Sequence, residues 1–225
     1  MIRVASLSIA LLLLSLPGWS QVAEEANRDY QTREGRARIA ERLDDSHRRE
    51  RLDPARLVAA LEIKPGMTVA DVGTGTGVML PYLSKAAGPS GRIFAQDIHR
   101  DFLDKAEARA KSEKLHNVTF RLGTDRDPGL PEGQVDLVLV LDAYHHFDYP
   151  AEMLRNIGRA LRPQGRVAIV DFYRFRRGPD GDDMRNHVRA DKDEVLRELK
   201  SYGYELASER DHGGNQYILI LDKKP

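Results

Sequence analysis

From residue 66 onward, short apolar runs alternate with segments whose apolar residues recur at helical spacing. Residues 68–72, 92–96, 118–122, 135–141 (VDLVLVL) and 166–170 read as strands. Residues 78–87, 101–113, 151–161 and 192–202 read as helices, and two short strands, 205–208 and 217–221, close the chain. Near-continuous apolar strands separated by amphipathic helices imply a parallel sheet covered on both faces. The expected fold class is therefore α/β, a doubly wound and mostly parallel sheet of seven strands. Ligands of such sheets sit beyond the carboxyl ends of the strands. The residues that follow each strand are the ones to read for chemistry.

The pattern changes upstream. Asp53 and Pro54 suit a helix start, with Asp as N-cap and Pro in the first helical position; Leu57, Val58 and Leu61 form its apolar face. Residues 21–53 are strongly charged, and Ile39 and Leu43, four apart, supply a thin apolar stripe. This segment reads as a helical extension, either a solvated helix or a lid over a ligand. At the very start, Arg3 precedes an apolar run over residues 4–16, broken by Pro17 and Gly18. Gly18 and Ser20 stand at cleavage spacing before Gln21. This is the three-part pattern of a secretory signal peptide, too short to span a bilayer. It predicts cleavage after Ser20, export to the periplasm or medium, and no stable membrane insertion afterwards.

Composition narrows the function classes. A chain of 225 residues suffices for one domain with a full core. Its 35 basic and 35 acidic residues balance, which argues against a nucleic-acid partner and for a small molecule. Cysteine is absent, so disulfides, thiolate metal sites and cysteine nucleophiles are excluded.

The first strand runs into Asp71-Val72-Gly73-Thr74-Gly75-Thr76-Gly77. Glycines there allow positive φ and close backbone approach to a ligand. The third glycine comes one residue too early for the dinucleotide fingerprint, and no Lys-Ser/Thr follows as in a phosphate loop. An NAD-dependent oxidoreductase is thus the weaker alternative. The stretch G-x-G-x-G, with an acid two residues before it, resembles the class I S-adenosylmethionine-dependent methyltransferases. The resemblance covers residues 54–225 and extends to the closing strand, helix and antiparallel hairpin. It implies S-adenosylmethionine as cofactor and a small-molecule methyl acceptor. A fold that binds the cofactor without turnover is the rival reading.

The resemblance also assigns roles. Asp71, Gly73, Thr74, Gly75 and Gly77 would approach the methionine part of the cofactor. Asp97, with Ile98 beside it, ends the second strand where the family holds the ribose, and a carboxylate there can accept from both hydroxyls. In the loop after the third strand, an ungapped count places Thr124 at the adenine contact, and a shift of one places Asp125 there. The fourth strand ends in LDAYHHFDYP, which puts Asp142 near the cofactor and Tyr144, His145 and His146 near the acceptor. Histidine can take a proton near neutral pH, as a hydroxyl or acidic carbon nucleophile would require. Asp142 and Asp171 end adjacent strands, like the carboxylates of catechol-type O-methyltransferases. Phe172 stands where those enzymes have a third ligand, Asn, so no metal site is assigned. His187, in a polar loop, could enter the site.

Overall fold

The computed structural model describes residues 23–178, 181 and 183–224. The expected signal peptide, residues 1–20, lies outside the described residues. Seven strands form one sheet: β1 (Thr68–Val72), β2 (Arg92–Asp97), β3 (Val118–Leu122), β4 (Val135–Leu141), β5 (Leu161–Phe172), β6 (Tyr204–His212) and β7 (Gln216–Lys223). Their order is β3-β2-β1-β4-β5-β7-β6. The first five pair in parallel, and β7 runs antiparallel to both β5 and β6. The sheet is the doubly wound one expected, with its antiparallel C-terminal hairpin.

Successive strand residues point to opposite faces, and β4 shows the consequence. Leu137 and Leu139 join Leu57, Leu83 and Val69 on one side. Val138 and Val140 join Leu154, Ile157 and Leu199 on the other. Both faces are apolar because helices cover both. The helices are α1 (Glu24–Asn27), α2 (Arg33–Asp44), α3 (Ser46–Leu52), α4 (Pro54–Leu61), α5 (Leu80–Ala87), α6 (Arg100–Ser112), α7 (Pro150–Ala160) and α8 (Lys192–Ser201). At the start of α4 the Asp53 carboxylate accepts from the Arg56 N–H at 3.2 Å, with Pro54 next in line, as the sequence predicts.

Three boundaries differ from the pattern. Helix α5 begins at Leu80 rather than at residue 78, because the chain is still completing the glycine turn. Strand β5 begins at Leu161, which pairs with Val135 before a register shift brings Arg166 opposite Leu137. Strand β6 continues to His212. Its charged second half is that of an edge strand, where polar residues guard unpaired backbone and mask the strand in a hydrophobicity reading.

The charged extension folds into α1–α3, with a 3₁₀ turn at Arg28–Gln31. Ile39 and Ala40 are buried against Phe102 of α6, with Tyr30 and Leu43 beside them. Ion pairs Arg36–Asp101 (2.8 Å) and Arg109–Asp44 (2.6 Å) fasten α2 to α6. Thr76 of the glycine loop donates to Asp44 at 2.7 Å. The extension therefore lies across the carboxyl end of the sheet. Among the described residues no helix is long and apolar enough to cross a membrane.

Candidate active site

The strand order reverses between β1 and β4, and a cavity opens at that switch point, as doubly wound sheets require. Its floor is the glycine loop. Gly73, Gly75 and Gly77 have φ of 77°, 56° and 77°, which L side chains rarely adopt. Space forbids a side chain as well: a Cβ on Gly73 would lie 2.7 Å from the Ala143 Cβ. Backbone N–H groups of Gly73 and Thr74 donate to the Gln96 carbonyl at 2.9 and 2.8 Å, tying the loop to β2. Beneath it, Asp71 accepts from the Thr74 hydroxyl at 2.7 Å.

Asp97 closes β2 in the cavity wall, with Ile98 and His99 beside it. Its carboxylate accepts from the N–H groups of Gly75 and His99, each at 2.9 Å. Burial pushes its pKa up to about 6 despite these bonds. A carboxylate offers about four lone-pair positions, so room remains for two ribose hydroxyls. Gln96, in the same wall, has a buried Nε2 without a hydrogen-bond partner among the described residues. A positive-φ glycine floor, a buried acid at the end of β2 and an orphaned amide suit a polar nucleoside ligand. The residues thus fit S-adenosylmethionine.

The two residues expected near the adenine part differ in placement. Asp125 lines the cavity, whereas Thr124 is exposed and does not. The Thr124 hydroxyl accepts from the Asp127 N–H at 3.0 Å and closes a local turn. Thr124 is a correction: that turn shifts the loop relative to an ungapped count.

At the end of β4, Asp142 adopts φ 50°, and this left-handed residue turns the chain into the 3₁₀ segment Tyr144–His146. Its carboxylate pairs with Arg48 of α3 at 2.8 Å and accepts from the Gln216 amide. Burial raises its pKa to about 6 against the pull of Arg48. Tyr144 is a second correction. Its ring is fully buried in the core and its hydroxyl donates to Glu198 at 2.9 Å, away from the cavity.

The two histidines do face the site. His145 Nδ1 lies 2.6 Å from Asp171, which also accepts the backbone N–H groups of His145 and Phe172. That partner fixes the ring proton on Nδ1 and leaves Nε2 with a lone pair. Nε2 lies 3.1 Å from His187 Nε2. His146 Nδ1 meets Asn27 Oδ1 at 2.9 Å, and its Nε2 lies 3.3 Å from the Tyr30 hydroxyl. Burial holds both His145 and His146 well below the ordinary histidine pKa, with neighbouring cations or imidazoles adding to the effect. Both rings are neutral at pH 7. Asp142 and Asp171 do end adjacent strands, and each is already engaged by protein donors.

A second cavity, of about 680 Å³, lies beside the first, and Tyr30, Leu43, Arg48, Asp142 and His146 belong to both walls. His145, His187, Phe172 and Met184 line its far side. A cavity of that size lies within the range of roughly 300–1,000 Å³ usual for small-molecule sites. The first encloses only about 160 Å³ beneath the N-terminal helices.

Asn27, Tyr30, Arg48 and Gln96 escaped the sequence reading. Only Tyr30 left a signal there, as the one aromatic residue in the charged stretch 21–53.

A methyltransferase-domain family model matches residues 70–169. The chain is 34% identical over 116 residues to a nocamycin O-methyltransferase of Saccharothrix syringae, covering 51% of this chain and 41% of that one. It is 26% identical over 115 residues to a ubiquinone/menaquinone biosynthesis C-methyltransferase of Burkholderia cenocepacia, covering 51% and 47%. It thus spans about half the length or less of these curated relatives. A solved S-adenosylmethionine-dependent methyltransferase from Aquifex aeolicus superposes with a TM-score of 0.76 at 27% identity, covering 81% of this chain and 96% of that one. With the sheet order and the glycine loop in agreement, the family model and the Aquifex aeolicus structure support a class I S-adenosylmethionine-dependent methyltransferase.

Proposed function

We propose that this chain is an S-adenosylmethionine-dependent methyltransferase acting on a small molecule, with the methyl donor in the first cavity and the acceptor in the second. The observation that carries this reading is the shared wall: Asp142 and His146 border both spaces. A methyl group can cross there without either molecule leaving its site. The sulfonium methyl is already electrophilic, so the protein's task is mainly to align nucleophile, carbon and sulfur and to exclude water. The acceptor's lone pair forms a bond to the methyl carbon as the carbon–sulfur bond breaks, and a neutral thioether leaves. Asp97 holds the ribose, the loop from Gly73 to Gly77 holds the methionine portion, and Asp125 faces the adenine. The cluster of His145, His146 and His187 borders the acceptor cavity and activates the acceptor there.

A methyl-labelled donor offered with a panel of phenols, hydroxy acids and activated-methylene compounds tests the reading. Transfer of label to at least one compound is expected. Thioether release with no labelled product from any acceptor class, small molecule or protein, would contradict it.

The N-terminal helices act as the lid. At about 160 Å³ the covered cavity is below the roughly 300–1,000 Å³ of most ligand sites, so the cover has to shift to admit the methyl donor. Arg48–Asp142 is the latch that joins the lid to the catalytic strand end. Arg48→Ala should speed dissociation of S-adenosylhomocysteine several-fold in a stopped-flow chase. An unchanged off-rate in a folded variant would remove the lid assignment.

A further inference from the structure

We propose that His145, His146 and His187 together bind one divalent transition-metal ion, Zn²⁺ by preference, through their Nε2 atoms. Their three ligand-capable nitrogens lie within 4.8 Å of one another. The His145 and His187 Nε2 atoms are 3.1 Å apart. Two nitrogens each about 2.1 Å from a tetrahedral ion sit about 3.4 Å apart, so this pair already has nearly the required spacing. The rings come from two separate segments, the turn after β4 and the loop after β5, and both segments border the larger cavity.

The outer partners are those of a built metal site. A ligating histidine usually hands its other ring N–H to a carboxylate or carbonyl oxygen, which fixes the tautomer and aims the lone pair. Asp171 does this for His145 at Nδ1, and the Asn27 side-chain oxygen does it for His146 at Nδ1. Nε2 is thereby left as the nitrogen without a proton in each ring. Taking up the ion costs His146 only its 3.3 Å approach to the Tyr30 hydroxyl. Three imidazoles with no thiolate suit a borderline ion of the zinc type. Three protein ligands leave a fourth position open, as in catalytic rather than structural zinc sites.

The open position faces the cavity assigned to the acceptor. The site therefore deepens the reading above, and its catalytic role rests on that reading, although ion binding itself does not. An acceptor hydroxyl bound to the ion gives its proton to solvent. Its oxygen lone pair then bonds to the methyl carbon, and the carbon–sulfur electrons leave with sulfur.

The test uses the full chain freed of metal with a chelator. Zn²⁺ is titrated by calorimetry, and Co²⁺ is followed by its visible absorption. One ion per chain and the intense bands of four-coordinate Co²⁺ are expected. His187→Ala, in a loop outside the core, should weaken binding at least about tenfold while leaving S-adenosylhomocysteine affinity and thermal stability in place. His116→Ala, an exposed histidine outside the cluster, should change nothing. No saturable binding by the wild type, or equal affinity in wild type and His187→Ala, would overturn the proposal. The parallel titration with S-adenosylhomocysteine keeps the two readings apart. A chain that binds the nucleoside but no ion loses only the metal site. A chain that binds the ion but no nucleoside loses the methyltransferase reading.

Discussion

Asp97→Ala is expected to lower affinity for S-adenosylmethionine by about two to four orders of magnitude. Hydrogen bonds to a charged group contribute roughly 1.5–3 kcal/mol each, and two ribose hydroxyls would be lost together. At about 1.4 kcal/mol per factor of ten, that gives the range stated. The variant also strands the Gly75 N–H, which now donates to Asp97 at 2.9 Å, so the glycine loop loses its anchor to β2. Calorimetry reads the affinity, and a thermal melt shows that the fold survives. The same residue sets a pH dependence. Burial raises Asp97 to about 6. The proposed ribose contact needs the ionised form, so affinity should be full above that value and fall as pH drops through it. Asp97→Asn should bind weakly and without that dependence. An affinity unchanged in Asp97→Ala would show that the ribose lies elsewhere.

His145→Ala should leave binding of the methyl donor nearly intact and reduce turnover by about 10²–10⁴, the usual contribution of a group that manages the reacting proton. The separation is expected because His145 lines the second cavity and not the first. Asp171→Asn should follow the same pattern, since it replaces the carboxyl group that pairs with His145 Nδ1. The readouts are kcat with an acceptor found in the labelled-donor panel and the dissociation constant for S-adenosylhomocysteine. A structural role would appear instead as a lower melting temperature with kcat preserved. Equal loss of affinity for the methyl donor would place His145 at the wrong cavity.

The parts of the site that were legible in the sequence are those governed by backbone geometry. Gly73, Gly75 and Gly77 announce positive φ, and the position of Asp97 follows from the length of one strand-helix-strand unit. The fold was legible for a related reason: strands buried on two faces, such as β4, cannot carry polar residues freely. Tyr144 was not legible. It stands next to two site histidines in sequence, yet the 3₁₀ turn sends neighbouring side chains in different directions, and the large phenol goes to the core. Thr124 was misplaced because a local turn shifts the loop. Asn27, Tyr30 and Arg48 reach the site across 119, 116 and 94 residues. No local pattern encodes such distances; the docking of the N-terminal helices on α6 and on the turn after β4 brings them in. His187 stood out in its loop, but its meeting with His145 at 3.1 Å is a fact of tertiary structure.

The most direct test of the central claim is a calorimetric titration of the full chain with S-adenosylmethionine and S-adenosylhomocysteine, with NADH as the control. Saturable one-to-one binding of the first two at micromolar concentration, lost in Asp97→Ala and absent for NADH, is the predicted result. No binding of either sulfur nucleoside by the folded chain, or binding of NADH instead, would contradict it.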